Sequence, residues 1–196
     1  MGGRELAGLA GRIERALGGR EPQRGAREGA KRAAVAVVVG GVDEPAIAFI
    51  RRKVRAGDPW SGQMAFPGGF RASAAEPLEV TARRETLEET GLDLSRHGRL
   101  LGALDEVTPR TPDLPPLVIA PFAFAVPSLP PLVAGEEADD ALWIPVAEIL
   151  EPANRTTFRL AVPGGERAFP AILVRDRVIW GLTERILAHL SELVDL

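Results

Sequence analysis

The chain has 196 residues, 45% of them apolar, with a formal net charge of −3. That length suits one domain with a sizeable core, and the charge leaves no basic excess of the kind a general nucleic-acid binder carries. The lack of Cys excludes structural disulfides and thiolate zinc sites and fits a reducing compartment, so a cytoplasmic location is expected. Arg4, Glu5, Arg12, Glu14 and Arg15 interrupt any apolar N-terminal run, and no uninterrupted stretch of about 18 apolar residues suggests a membrane span.

Residues 4–17 read as an amphipathic helix, with Leu6, Leu9, Ile13 and Leu17 at helical spacing. Residues 18–30 are rich in Gly, Arg and Glu and read as a mobile connector. Residues 1–30 are therefore set apart from a single domain over 31–196. Residues 33–39 and 46–51 are strand candidates joined by a turn at 40–45, a plausible hairpin. A loop over 53–62 contains Asp58-Pro59-Trp60-Ser61-Gly62, and a short strand follows at 63–66. Pro77 suits a first helical position and Gly91 the residue past a helix end, so 77–90 reads as one helix. Strands at 100–107 and 117–125 flank a Pro-rich loop over 108–116. A strand at 141–144 precedes a short helix opened by Pro145. A strand at 169–174 and a helix at 182–194, with Leu187, Leu190 and Val194 facing the core, complete the chain. Strands mixed with helices, and no internal repeat, predict an α/β layered sandwich.

The helix over 77–90 carries its charge in an unusual place. Glu85, Glu88 and Glu89 fall within an arc of about 100°. Like charges three and four residues apart repel by about 0.2–0.5 kcal/mol per pair. Glu88 and Glu89 also stand in the last turn, where the helix dipole disfavours anions by about 0.3–1 kcal/mol each. A divalent cation would offset both costs. Leu78, Thr81 and Ala82 continue the acidic face while Val80 and Leu87 lie opposite, so that face is expected to look into a cleft. Magnesium takes oxygen ligands and often only one or two carboxylates. Glu85 and Glu89 suit one ion, and Glu88 can join it or hold a second. The Gly69 carbonyl is a candidate extra ligand, because glycine lets backbone approach closely.

Glu76, seven intervening residues, Arg84-Glu85, Glu88-Glu89, Gly91 and Leu92, all following Gly68-Gly69, resemble the signature box of the Nudix hydrolases. Two departures exist. Thr86 replaces a bulky apolar residue, and six residues rather than five separate Gly69 from Glu76. The longer spacer resembles the coenzyme A pyrophosphatase subgroup, as do Met64-Ala65-Phe66-Pro67-Gly68-Gly69 and the run Ile179-Trp180-Gly181-Leu182-Thr183. The subgroup's upstream motif is altered. Gly62 is kept and Lys53 stands for Arg, but Arg51, Val54, Asp58 and Trp60 replace Thr, Ser, Arg and His.

The resemblance implies a Nudix-type α/β/α sandwich with a mixed central sheet, and Mg2+ or Mn2+ bound by Glu85, Glu88 and Glu89. It implies hydrolysis of a pyrophosphate bond in a nucleoside diphosphate derivative, with coenzyme A or its esters as first choice. ADP-ribose or a related dinucleotide is the alternative, and a non-catalytic Nudix-fold binding module is the rival of another class. The general base is a box glutamate, Glu85 or Glu88, or else Glu137, whose surroundings resemble the subgroup's acidic loop. A solvated acidic loop is the competing reading of Glu136, Glu137, Asp139 and Asp140. Arg84 is expected to orient a carboxylate, and Glu76 to act structurally as a loop anchor or helix cap, with Gly91 closing the helix. Arg51, Arg52, Lys53, Arg55 and Arg71 are candidates for substrate phosphates, and Trp60 for an adenine ring. His97 and His189 look incidental. The expected partner is a small nucleotide-derived molecule, with neither nucleic acid nor membrane; a homodimer is left open.

Overall fold

The structure, a computed structural model, describes residues 8–25, 28–54, 61–109, 116–162 and 165–196. Helix α1 (Leu9–Leu17) buries Leu9, Ile13 and Leu17 on one face. The expected Leu6 lies outside the described residues. Strands β1 (Lys31–Gly40) and β2 (Ala46–Arg52) form the expected hairpin, pairing at Val39 with Ile47 and Gly40 with Ala46. Strands β3 (Met64–Ala65) and β4 (Gly68–Phe70) lead to α2 (Leu78–Thr90) and a short helix α3 (Leu94–His97). Then follow β5 (Arg99–Ala103), β6 (Leu117–Val126), β7 (Ala138–Pro145) and α4 (Val146–Leu150). A 3-10 turn (Pro152–Asn154) precedes β8 (Arg155–Val162), β9 (Gly165–Val174), β10 (Arg177–Trp180) and α5 (Gly181–Leu193).

Among the described residues seven strands form one mixed sheet, in the order β3-β2-β1-β6-β5, with β4 beside β1 and β7 beside β2. β1 and β6 run parallel from Lys31 opposite Leu117 to Gly40 opposite Val126, and the remaining pairs are antiparallel. Side chains alternate across a strand, which divides β1 between two cores. Ala34, Ala36 and Val38 pack with Ala82 of α2, Leu92, Leu94 and Phe124. Val37 and Val39 pack with Ile13 of α1 and Ile186, Leu187 and Leu190 of α5. Helices cover both faces, so the fold is the expected α/β/α sandwich. Residues 20–25, expected as part of a connector, run alongside Asp105 and Glu106. Arg20 donates to Asp105, and the Gln23 and Gly25 amides donate to Asp105 and Glu106.

Several expectations needed correction. The strand expected over 100–107 ends at Ala103, past a bulge at Leu100–Gly102; beyond it the Glu106 amide donates to the Gln23 carbonyl, and Val107 makes only an isolated bridge to Ile119. Asp139 and Asp140 lie in β7 rather than in a loop, with Asp140 opposite Arg51. A second sheet, β10-β9-β8, was not foreseen beyond residues 169–174. Its β8–β9 hairpin is mostly exposed on both sides, so it lacks the alternation that marks a half-buried strand. Helix α3 was also missed; it rests on Asp93, whose carboxylate accepts from the Ser95 and Arg96 amides.

Candidate active site

Helix α2 sets the first part of the site. Its buried face carries Thr81, Ala82, Thr86, Glu89 and Thr90, while Val80 and Leu87 are 47% and 46% exposed on the opposite face. The polar Thr86, standing where a bulky apolar residue was expected, is fully buried because its hydroxyl donates to the Ala82 carbonyl at 2.7 Å. Gly91 ends the helix at φ 71°, a left-handed conformation that glycine adopts without strain, and its amide donates to Leu87 at 3.0 Å.

Glu89 is only 3% exposed, and its carboxylate accepts the Gly68 amide at 2.8 Å. Burial raises its pKa to about 7, with the neighbouring Glu85 and Glu137 charges pushing the same way. Burial also raises Glu85, and Glu88 and Glu137 add to that effect. Gly69 is what lets Glu85 reach this place: a Cβ there would stand 2.5 Å from the Glu85 carboxylate carbon.

The segment before β7 supplies the second part. The Val133 and Gly135 amides donate to the Thr90 and Glu89 carbonyls at 2.9 and 3.0 Å, satisfying groups that a helix end leaves open. A Cβ at Gly135 would collide with the Glu88 carbonyl, so only glycine fits against the helix here. The Glu137 carbonyl accepts the Lys53 amide at 3.1 Å, and its side chain is exposed beside the helix carboxylates. Glu85, Glu88, Glu89 and Glu137 are thus brought together. Lys53 joins them through its backbone.

Arg84 ties the group. Its guanidinium donates to Glu76 at 3.1 Å, Glu85 at 2.7 Å, Glu88 at 3.1 Å and the Phe70 carbonyl at 3.0 Å. Glu76 also accepts the Ala72 amide at 2.6 Å and the Thr81 hydroxyl at 2.9 Å. The Arg84 hydrogen bond and that amide hold the Glu76 pKa at about 2, below the ordinary 4.5. The folded protein therefore binds fewer protons than the unfolded chain between these values. The stability Glu76 contributes is complete above pH 4.5 and is lost as pH falls toward 2. Glu76→Gln is expected to cost about 1–2 kcal/mol in urea melts at pH 7, with the difference from wild type shrinking by pH 3.

Among the described residues no three Asp, Glu, His or Cys side chains converge closely enough to hold an ion together as they stand. Arg84 accounts for this, because it draws Glu85 and Glu88 to itself. The donor set nevertheless fits a hard divalent cation: all oxygen, partly buried, and with carboxylates whose crowding opposes ionisation.

A cleft of about 290 Å3 lies on the face of β1 away from α2. Ala33, Val35, Leu117 and Ile119 form its floor, and Leu182, Thr183 and Ile186 of α5 its roof. Gly68, Gly69 and Arg52 also line it, the last within electrostatic reach of Glu89. Phe70 and Trp180 also line it. Arg52 lines the cleft; Arg51, also an expected phosphate contact, does not. Arg71 donates to the Ala74 carbonyl at 3.1 Å and stands outside the lining. Arg55 and Trp60 lie outside the described residues. Arg52 was among the expected phosphate contacts; Trp180 and Phe70 were not expected to line a cleft, although the run at 179–183 had been singled out. His97 is exposed, and His189 lies 3.2 Å from Asp105, away from the site.

The NUDIX domain family model matches residues 30–161. The chain is 40% identical over 120 residues to the uncharacterised protein C14C4.10c of Schizosaccharomyces pombe, covering 59% of this chain and 36% of that one. It is 30% identical over 141 residues to the human mitochondrial coenzyme A diphosphatase NUDT8, covering 71% of this chain and 58% of the relative. The chain thus spans between about a third and three fifths of the length of these curated relatives. Among solved structures, a MutT/nudix family protein from Enterococcus faecalis shares the fold at TM-score 0.55 and 22% identity, over 87% of this chain and 64% of that one. The NUDIX domain of Shewanella oneidensis NrtR, complexed with ADP ribose, does so at TM-score 0.50 and 21% identity, over 64% of this chain and 79% of that one. With a family match spanning well over half of its length, over the segment that contains Glu76, the α2 carboxylates and Glu137, the chain belongs to the NUDIX domain family.

Proposed function

We propose that the chain hydrolyses a pyrophosphate bond in nucleoside diphosphate derivatives, with Mg2+ or Mn2+ as cofactor and coenzyme A or its esters as preferred substrate. The observation that carries this reading is the gathering of Glu85, Glu88, Glu89 and Glu137 at the end of α2, against the Gly68-Gly69 turn that also lines an apolar cleft. A non-catalytic binding module of the same fold has no use for clustered carboxylates that raise one another's pKa.

Glu85 and Glu89 would hold the cation, with Glu88 and the Gly69 carbonyl completing the set. When bound, the cation polarises water and the phosphoryl oxygens. Glu137, exposed beside the helix carboxylates, accepts the proton of the attacking water; Glu85 or Glu88 is the alternative base. Glu76, Arg84 and Gly91 keep the loop and helix in register. Arg51, Lys53 and Arg71 remain candidates to meet substrate phosphates from the rim, with Arg52 nearer the centre. The products from coenzyme A would be 3′,5′-ADP and 4′-phosphopantetheine.

The 30% identity to a coenzyme A diphosphatase supports that substrate. Val54, Asp58 and Trp60, standing where the coenzyme A motif has Ser, Arg and His, favour ADP-ribose as the second reading. The test compares kcat/KM for coenzyme A, its 3′-dephospho form and ADP-ribose, with Mg and Mn and products identified by mass. Coenzyme A is expected to be preferred, and millimolar metal to raise the melting temperature. Equal or better rates without the 3′-phosphate discard coenzyme A as preferred substrate. No turnover of any of the three discards the hydrolase.

A further inference from the structure

The cleft wall that faces the sheet is built from elements beyond the family match. Residues 30–161 contain the carboxylates, but Phe169, Trp180 and all of α5 follow them. Trp180 packs against two rings of the second sheet, a cross-strand pair. Phe158 stacks on it at 4.1 Å and 23°, and Phe169 leans on it at 5.5 Å and 50°. The indole is half-buried and contributes to the cleft lining. An aromatic ring already fixed by its neighbours loses little freedom when a second flat surface meets it.

The position of this ring limits what it can meet. The diphosphate of a bound substrate would lie by Gly68, Gly69 and Arg52, the lining residues that adjoin the carboxylates. The unit attached to that diphosphate then runs between the apolar floor and Trp180. A flexible aliphatic arm needs no fixed flat wall. A nucleobase does, because stacking requires a rigid face parallel to its own. We infer that the Trp180 indole is the stacking platform for the substrate's nucleobase, which makes Trp180 a specificity-determining residue. This assignment rests on the nucleoside diphosphate reading above for its substrate class, and it places the base against Trp180 rather than Trp60.

The test is binding without turnover. Metal-free protein is titrated with AMP, and with 4′-phosphopantetheine as a ligand lacking a base, following indole fluorescence and, in parallel, equilibrium dialysis. AMP is expected to quench wild type and Trp60→Leu alike. Trp180→Leu should lose the signal and about 10- to 100-fold in AMP affinity. AMP affinity unchanged in Trp180→Leu, or quenching by 4′-phosphopantetheine in place of AMP, overturns the assignment. If Trp180→Leu does not fold, Trp60→Phe decides. In it AMP should shield Trp180 from acrylamide, since Trp143 is tied to the Pro130 carbonyl at 2.8 Å; absence of shielding overturns the assignment. The two readings fail separately. Trp180-dependent AMP binding in a protein that hydrolyses nothing removes the hydrolase and keeps the platform. Unchanged kcat/KM in folded Trp180→Leu removes the platform and keeps the hydrolase.

Discussion

Replacing Glu89 by Gln is expected to move stability and turnover in opposite directions. The Glu89 pKa stands at about 7 in the folded protein against an ordinary 4.5, because its carboxylate is buried. Between those values the folded protein binds more protons than the unfolded chain, so its stability falls as pH rises through the window. Glutamine carries no charge at any of these pH values and can still accept the Gly68 amide. Metal-free Glu89→Gln should therefore gain about 2–3 kcal/mol over wild type at pH 8 and almost nothing at pH 4. That gain corresponds to about 5–10 °C in melting temperature. The charge lost is the one proposed to hold the cation, so kcat should drop by about 100-fold or more. Calorimetry at both pH values and steady-state kinetics with Mg check the two halves. A variant as active as wild type would sink the metal assignment.

Two adjacent glycines should respond to the same substitution in different ways. A Cβ at Gly68 runs into the Ala34 carbonyl and the Val35 backbone, neither of which can yield without moving β1. Gly68→Ala should cost about 3 kcal/mol or more in stability, as overpacking against a rigid strand does. The nearest atoms a Cβ at Gly69 would meet belong to the Glu85 carboxylate, the far end of a flexible side chain. Gly69→Ala should keep most of its stability while displacing that carboxylate by about 1 Å. A misplacement of that size costs about 100-fold in rate. Denaturant melts and kcat on both variants separate the effects. Equal losses of stability would show that Glu85 does not depend on Gly69 for its place.

The helix over 78–90 was legible to within a residue, because Pro77 and Gly91 are strong local signals and the three glutamates share a face by helical geometry alone. The proximity of Glu137 was legible only through resemblance. It depends on a loop laid against the end of α2, and nothing local announces that. Arg51 and Arg52 were both candidates because strand parity cannot be read from a run of basic residues; one step along a strand changes the face, and only Arg52 lines the cleft. The cleft wall was hidden for a different reason. Phe158, Phe169 and Trp180 stand on three consecutive strands, and they meet through a sheet whose β8–β9 hairpin carries no clear burial pattern.

The position of Arg84 has a consequence for how a cation would enter. Its guanidinium already serves as the internal counter-ion of Glu85 and Glu88. The chain can therefore fold with its anions compensated before any ion arrives, and loading becomes an exchange instead of a simple addition. An incoming ion must outbid a fixed unit charge for the same oxygens, which disfavours sodium and potassium relative to a doubly charged competitor. Once displaced, Arg84 still has the Glu76 carboxylate and the Phe70 carbonyl to hold it. The helix would then pass between two charge-balanced states without ever exposing an unpaired guanidinium.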